Sequence, residues 1–385
     1  VSQADLNWEN PKVREELKKV IRFWKEKGVK GFRFDVVNVI SKPEVYEDDH
    51  EGDGRRFYTD GHHVHEFLKE LVRDTGIEDM ITVGEMSSTS LDNCIRYSNP
   101  EEKELSMCFN FHHLKVDYKN GNKWELMDTD RKELKRLFEE WQIGMQEHNG
   151  WNSLFWCNHD QPRIVSRMGN EGTYWKQSAK MLAAAVHLMR GTPYIYQGEE
   201  IGMPNAHFKD INDYRDVESL NYYEILLKEG KAKEEAIKTL QERSRDNSRT
   251  PMQWSDEKNA GFSDVIPWIS LPDHYKEINV ENELRDEDSI YYFYKKLIEL
   301  RKEKEVIQEG TIEFFEKDDD DLLAYERNYK EEHLVVFNNL TEKEKEVEIP
   351  QLWTSYHKLI GNYDTENMKE NKVVLRPYET LVLEK

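Results

Sequence analysis

Five short apolar runs set the limits on what this chain can fold into: GFRFDVV (31–37), MITVGE (80–85), SMCFNF (106–111), WNSLFWCNH (151–159) and PYIYQGEE (193–200). Each has the length of a buried strand, and stretches of helical periodicity lie between them. Asn10-Pro11 reads as an N-cap followed by proline at the first helical position, Val13, Leu17, Val20, Ile21 and Trp24 then recur at helical spacing, and Gly28 closes the segment. Val64/Phe67/Leu68/Leu71, Leu134/Leu137/Phe138/Trp141 and Met181/Leu182/Ala185/Val186/Met189 mark three more helices. Short apolar strands alternating with amphipathic helices imply an α/β fold with a parallel sheet and right-handed crossovers.

Past Glu200 the alternation loosens. Residues 205–285 read as polar helices and a loop, SRDNSRTPMQW (244–254), and a last helix spans about 288–304. From about residue 309 the period changes to two, in TIEFFEK, LLAYERN, HLVVFNNL, KEVEIP, KVVLRP and ETLVLEK, which predicts a small antiparallel β-sandwich. The expected division is residues 1–305 for the α/β part and 306–385 for the all-β part. The acidic run Asp318–Asp321 falls between two of the late strands and reads as a solvated hairpin tip rather than a metal site.

A net charge of −22 repels nucleic acid and anionic membrane surfaces at long range, so neither is an expected partner. No run of 18 apolar residues is present. Cys94, Cys108 and Cys157 are odd in number and lack metal-ligand spacing; they read as buried free thiols, which fits the cytoplasm. No cofactor and no metal is expected.

The ends of the apolar runs carry the chemistry. Alternation along GFRFD places Arg33 and Asp35 on one face of the strand and Phe32 and Phe34 on the other. If that face is inward, two charges there are costly unless paired or used. An Arg–Asp brace would account for this run alone, but the second run ends in Glu85 and the fourth in His159-Asp160. In a (β/α)8 barrel the strand C-termini converge on one face, where such residues act in catalysis. Three carboxylates and a guanidinium suit acetal cleavage with retention, which needs an ionised nucleophile and a protonated carboxylic acid about 5 Å apart. Asp35, beside Arg33, fits the nucleophile because a neighbouring cation favours the anion. Glu85 fits the acid/base, and His159 and Asp160 fit sugar-hydroxyl binding and stabilisation of the transition state.

GFRFDVVNVI, ITVGEM and FWCNHDQPR, in this order and spacing, resemble three characteristic segments of the α-amylase superfamily (glycoside hydrolase family 13). The resemblance implies a partial (β/α)8 TIM barrel holding about strands 4–8, followed by the β-sandwich. It also implies Asp35, Glu85 and Asp160 as the catalytic residues, with Arg33 and His159 binding substrate. RDNSRTPMQW and GTPYIYQGEEIGM resemble the oligo-1,6-glucosidase and α-glucosidase branch, whose arginines for the non-reducing glucose match Arg249 and, less closely, Arg245. GRRFYTDG, GEMSSTSLDNCIRYSNP and FNFHHLKVDY resemble the phospho-α-(1,1)-glucosidases of the family, which implies a small phosphorylated disaccharide as substrate. Its phosphate needs a fixed cation in an acidic protein; Lys115 is the candidate, with His112 and His113 as further donors. An oligo-1,6-glucosidase is the alternative, and a non-catalytic transporter accessory subunit a remote one.

The superfamily barrel starts with three further strands, and its Asp-x-x-x-Asn-His segment is absent from these 385 residues. The resemblance therefore implies a longer enzyme, extended before residue 1 by roughly a third of its length. Without that part, strand edges and the barrel interior would be uncovered, and the fragment alone is expected to be unstable and inactive.

Overall fold

The structure, a computed structural model, describes residues 4–385. In chain order the first half runs α1 (Pro11–Glu26), β1 (Gly31–Phe34), α2 (Val64–Thr75), β2 (Ile81–Glu85), α3 (Leu91–Ser98), β3 (Met107–Phe109), α4 (Arg131–Glu147), β4 (Ser153–Leu154), α5 (Ile164–Met168), α6 (Trp175–His187) and β5 (Thr192–Pro193). The expected strand–helix alternation is present. Asn10 caps α1 through its side chain, which accepts from the Lys12 amide, and Gly28 leaves the helix at φ +94°. The expected apolar face of α1 is only partly used: Ile21 packs with Leu71, Val72, Ile77, Phe32 and Phe34, whereas Val20 and Trp24 are exposed.

The chain divides into two compact units. One comprises residues up to His113 together with Leu137–Ser153 and Arg190–Thr192; the other comprises Leu114–Arg136, Leu154–Met189 and Pro193–Lys385. In the first, β1, β2 and β3 form a parallel sheet in that order, with Phe34 opposite Gly84 and Glu85 opposite Phe109. A parallel bridge from Cys108 to Asn152 continues it. A Cβ at Gly84 would lie 2.5 Å from Met86 Cε and 2.6 Å from Leu105 Cδ1, so a larger residue there would have to push both side-chain tips aside.

The fourth and fifth runs form far less strand than their apolar content predicts. β4 is two residues long, and Phe155, Trp156 and Cys157 after it are buried outside the strand. Trp156 Nε1 donates to the Leu182 carbonyl, and the Cys157 thiol faces the carbonyls of Asn158, Gln161 and Pro162. Likewise β5 stops at Pro193, and left-handed glycines at Gly198 and Gly202 turn the following segment back. Apolar content reports burial, which a compact turn satisfies as well as a strand.

In the second unit, α7 (Val217–Lys228), α8 (Lys233–Arg243), α9 (Asp246–Arg249), α10 (Val280–Arg285), α11 (Ile290–Glu303) and α12 (Glu305–Glu309) precede the β region. That region holds β6 (Thr311–Phe315), β7 (Leu322–Tyr329), β8 (Glu332–Asn339), β9 (Lys345–Glu348), β10 (His357–Gly361), β11 (Met368–Lys369), β12 (Lys372–Leu375) and β13 (Thr380–Glu384). A five-stranded antiparallel sheet, β10-β13-β8-β7-β6, and a three-stranded one, β11-β12-β9, face each other. Leu322, Val335, Phe337 and Leu383 from the first and Val347, Val373 and Leu375 from the second share one core around Trp353. The acidic run between β6 and β7 is more than a solvated tip: Lys345 pairs with both Asp319 (3.0 Å) and Asp321 (2.9 Å), and Arg131 also binds Asp321 (2.8 Å).

Candidate active site

In the first unit the structure brings together Arg33, Asp35 and Glu85. The register of β1 on β2 sets Arg33 beside Val83, so its guanidinium reaches across the sheet end to Glu85. One terminal nitrogen donates to Asp35 and the other to Glu85. A single guanidinium thus holds one oxygen of each carboxylate, an arrangement compatible with the separation of about 5–5.5 Å that retention requires. One expectation is corrected here: Asp35 lies beyond the strand, which ends at Phe34. The Asp35 and Arg33 side chains are 73% and 40% exposed, against 13% for Glu85, while Phe32 and Phe34 on the other face pack against core residues of this unit.

The backbone around the pair is unusual. Val36, directly after Asp35, has φ +42°, and Ser88, three residues after Glu85, has φ +52°. Left-handed geometry at a β-branched residue is strained and persists only where the surroundings impose it.

In the second unit Asp160 meets two arginines. Arg249 Nη2 donates to Asp160 Oδ1 at 2.6 Å, and its Nε donates to the His159 carbonyl at 2.8 Å. Arg245 approaches the same oxygen only to 3.7 Å; its Nε lies 3.0 Å from Glu218, which also pairs with Lys123 at 2.9 Å. His159 is more than half exposed, with Nε2 3.6 Å from the Asp160 carboxylate.

Buried Arg163, which sequence reasoning missed, fixes these segments. Its amide binds the Asn205 side chain (2.9 Å), and its guanidinium reaches the carbonyls of Asn247 (3.2 Å), Gln197 (2.5 Å) and Ser248 (3.5 Å). It therefore ties α9, which carries Arg249, to the turn after Asp160. The available signal was an arginine directly after Gln-Pro in the NHDQPR segment. Nearby Glu199 is wholly buried; burial pushes its carboxyl up to about 8 against the opposing bond from the Tyr196 amide.

Lys115 is exposed and follows the short 3-10 turn His112–Leu114. Its segment is anchored by Asp117, which accepts from Arg167 (2.6 and 2.7 Å) and Arg243. Burial opposes ionisation of Asp117, but the two guanidiniums outweigh it and hold the carboxyl below its ordinary range. The histidines are engaged in packing: His112 stacks on Trp141 with Nε2 2.9 Å from the Thr89 carbonyl, and His113 is buried against Phe138.

Among the described residues no helix is long and apolar enough to cross a membrane.

A parallel sheet whose C-terminal ends present Arg33, Asp35 and Glu85, with β domain following, agrees with the comparisons to known proteins. Residues 1–310 match the α-amylase catalytic domain, and residues 322–382 match the C-terminal domain of the α-amylase SusG. The chain belongs to the α-amylase family of glycoside hydrolases, with a (β/α)8-type catalytic domain and a C-terminal β domain. It is 51% identical to trehalose-6-phosphate hydrolase of Bacillus subtilis, covering 99% of this chain and 69% of that protein. A crystal structure of trehalose-6-phosphate hydrolase from Bacillus licheniformis superposes with a TM-score of 0.96 at 55% identity, covering 100% of this chain and 70% of that one. Oligo-1,6-glucosidase of Bacillus cereus is 44% identical over 99% of this chain and 70% of its own length.

Proposed function

We propose that the enzyme is a retaining α-glucosidase that hydrolyses trehalose 6-phosphate to glucose and glucose 6-phosphate. The observation that carries the chemistry is one guanidinium, Arg33, bonded to both Asp35 and Glu85. The substrate reading is supported by the 51% identity to a relative of that name over nearly the whole chain.

In this reading Asp35 attacks the anomeric carbon of the unphosphorylated glucose while Glu85 protonates the glycosidic oxygen, and glucose 6-phosphate departs. Glu85 then takes a proton from water, which attacks the glucosyl–Asp35 ester and releases glucose with retained configuration. Asp160, steadied by Arg249 and flanked by His159 and Arg245, is the third carboxylate of this reading and binds sugar hydroxyls.

Lys115 supplies the point charge for the phosphate, on a segment made rigid by Asp117 and its two arginines. The catalytic part is taken to extend to about residue 305, with the β domain after it, and the enzyme to work in the cytoplasm, where three free thiols are stable.

The test is product analysis with the complete enzyme on trehalose 6-phosphate and isomaltose. Equimolar glucose and glucose 6-phosphate, at a kcat/KM well above that for isomaltose, is the expected result. Preference for isomaltose would favour the oligo-1,6-glucosidase reading, which the 44% identity to such an enzyme keeps in view. Lys115→Ala should reduce turnover of trehalose 6-phosphate far more than that of a neutral aryl α-glucoside; equal losses would remove Lys115 from the phosphate site.

A further inference from the structure

We propose that Asn38, seated by Asp60, is a positioning residue that fixes the spacing of the Asp35 and Glu85 carboxylates. The inference rests on the reading of those two as the reacting pair. Asn38 interrupts the apolar run VVNVI and is completely buried, so it does not itself meet substrate. Its side-chain amide pairs with both backbone groups of one residue: Nδ2 donates to the Ser87 carbonyl at 2.8 Å, and Oδ1 accepts from the Ser87 amide at 2.8 Å. Asn38 lies three residues after Asp35, and Ser87 two after Glu85, so this closed pair joins the turn that follows β1 to the turn that follows β2.

Asp60 holds the joint in place. Its amide donates to the Asn38 carbonyl at 2.8 Å, and its Oδ1 accepts from Asn38 Nδ2 (3.1 Å) and from the Tyr97 hydroxyl (2.8 Å). Its Oδ2 accepts from the Thr89 hydroxyl (3.0 Å) and from Asn93 Nδ2 (2.9 Å). Four neutral donors fill the acceptor sites of one carboxylate, which leaves little freedom to rotate. The Met86 amide donates to the Phe109 carbonyl at 3.1 Å and fastens the start of the β2 turn. Of the left-handed residues nearby, Asp60 (φ +49°) belongs to this network, and Val36 and Ser88 lie within two residues of Asn38 and Ser87.

The spacing matters because carboxyl groups about 5–5.5 Å apart act as nucleophile and acid/base, whereas a separation of about 6.5–9.5 Å suits a different reaction course. The Phe34–Gly84 register fixes the sheet side of the pair, and the amide clamp, three residues after Asp35 and two after Glu85, closes its loop side.

The experiment uses the complete enzyme and a neutral aryl α-glucoside. A fluorinated glucosyl fluoride that traps the covalent intermediate counts the competent sites. For Asn38→Ala, kcat per titrated site should fall about a hundredfold, the scale of an ångström-sized misplacement of reacting groups. KM should stay within about threefold, and the limbs of the pH–rate profile should move, because the coupling of two carboxylates depends on their separation. Asp60→Asn should act in the same direction and less strongly. If Asn38→Ala does not fold, Asp60→Asn and the milder Tyr97→Phe are judged by the same measurements. A kcat per titrated site within about threefold of wild type with an unmoved pH profile, whatever the loss in thermal stability, would mean that the network only supports the fold, and would overturn the proposal. Asp35→Asn and Glu85→Gln are the controls: activity surviving in either overturns the reading of the reacting pair, and the inference with it. Because the assay substrate carries no phosphate, failure of the trehalose 6-phosphate reading would leave this test intact.

Discussion

Glu199 offers the most quantitative check on the structure. Its side chain is buried in the turn after β5; one oxygen accepts from the Tyr196 amide at 3.1 Å and the other has no hydrogen-bond partner. Burial is the largest influence on its carboxyl, and the attraction of Arg163 offsets only part of it, so the group titrates at about 8 rather than 4.5. The native protein therefore keeps a proton that the unfolded chain has already lost above pH 4.5. Stability from this group is complete below that pH and is lost as pH rises toward 8, where the native group also ionises. Between about pH 5 and about pH 7.5 the loss amounts to about 3 kcal/mol. Glu199→Gln is nearly isosteric and has no proton to lose. The assay is urea unfolding of wild type and variant side by side across that range, followed by tryptophan fluorescence. The stability of the variant relative to wild type should climb by about 3 kcal/mol from the acidic to the alkaline end. Parallel pH curves would show that Glu199 is ionised in the native state, and would refute the account of a desolvated carboxyl in this turn.

Three further outcomes follow from named contacts. Arg249→Ala removes a charge-assisted bond to Asp160 and should lower kcat/KM on a neutral aryl α-glucoside by about thirtyfold, near 2 kcal/mol; Arg249→Lys should recover only part, and an effect of about twofold or less would separate Arg249 from the site. Arg327, fully buried on β7, donates to the carbonyls of Thr311 (3.0 Å), Ile307 (3.2 Å), Gly310 (2.8 Å) and Leu188; Arg327→Met leaves these without that donor and should cost about 4 kcal/mol in urea unfolding, whereas a loss of about 1 kcal/mol or less would contradict it. All three cysteines are buried and free, and burial pushes the Cys157 thiol up to about 12, so the folded enzyme should leave a thiol reagent unconsumed until denaturant is added; rapid labelling in the native state would show an opening absent from this structure.

The sequence by itself determined the element order, the parallel character of the early sheet and six of the strands in the β region. It also determined that Glu85 closes a strand, that Asp35 stands at the end of one, and that Asp160 closes an apolar run. All of these are local: periods of 3.6 and 2, a capping asparagine and a charge at the end of an apolar run can be read within a window of a few residues. Only tertiary structure decided that β4 and β5 are two residues long, because ladder pairing depends on a partner distant in the chain. It alone joined Arg33 to Glu85 across 52 positions, Arg249 to Asp160 across 89, and Asn38 to Ser87 across 49. The identities of these polar residues are visible in the sequence, but a hydrogen bond is a relation between two atoms in space, and no local pattern encodes which residue will meet which once the strands are in register.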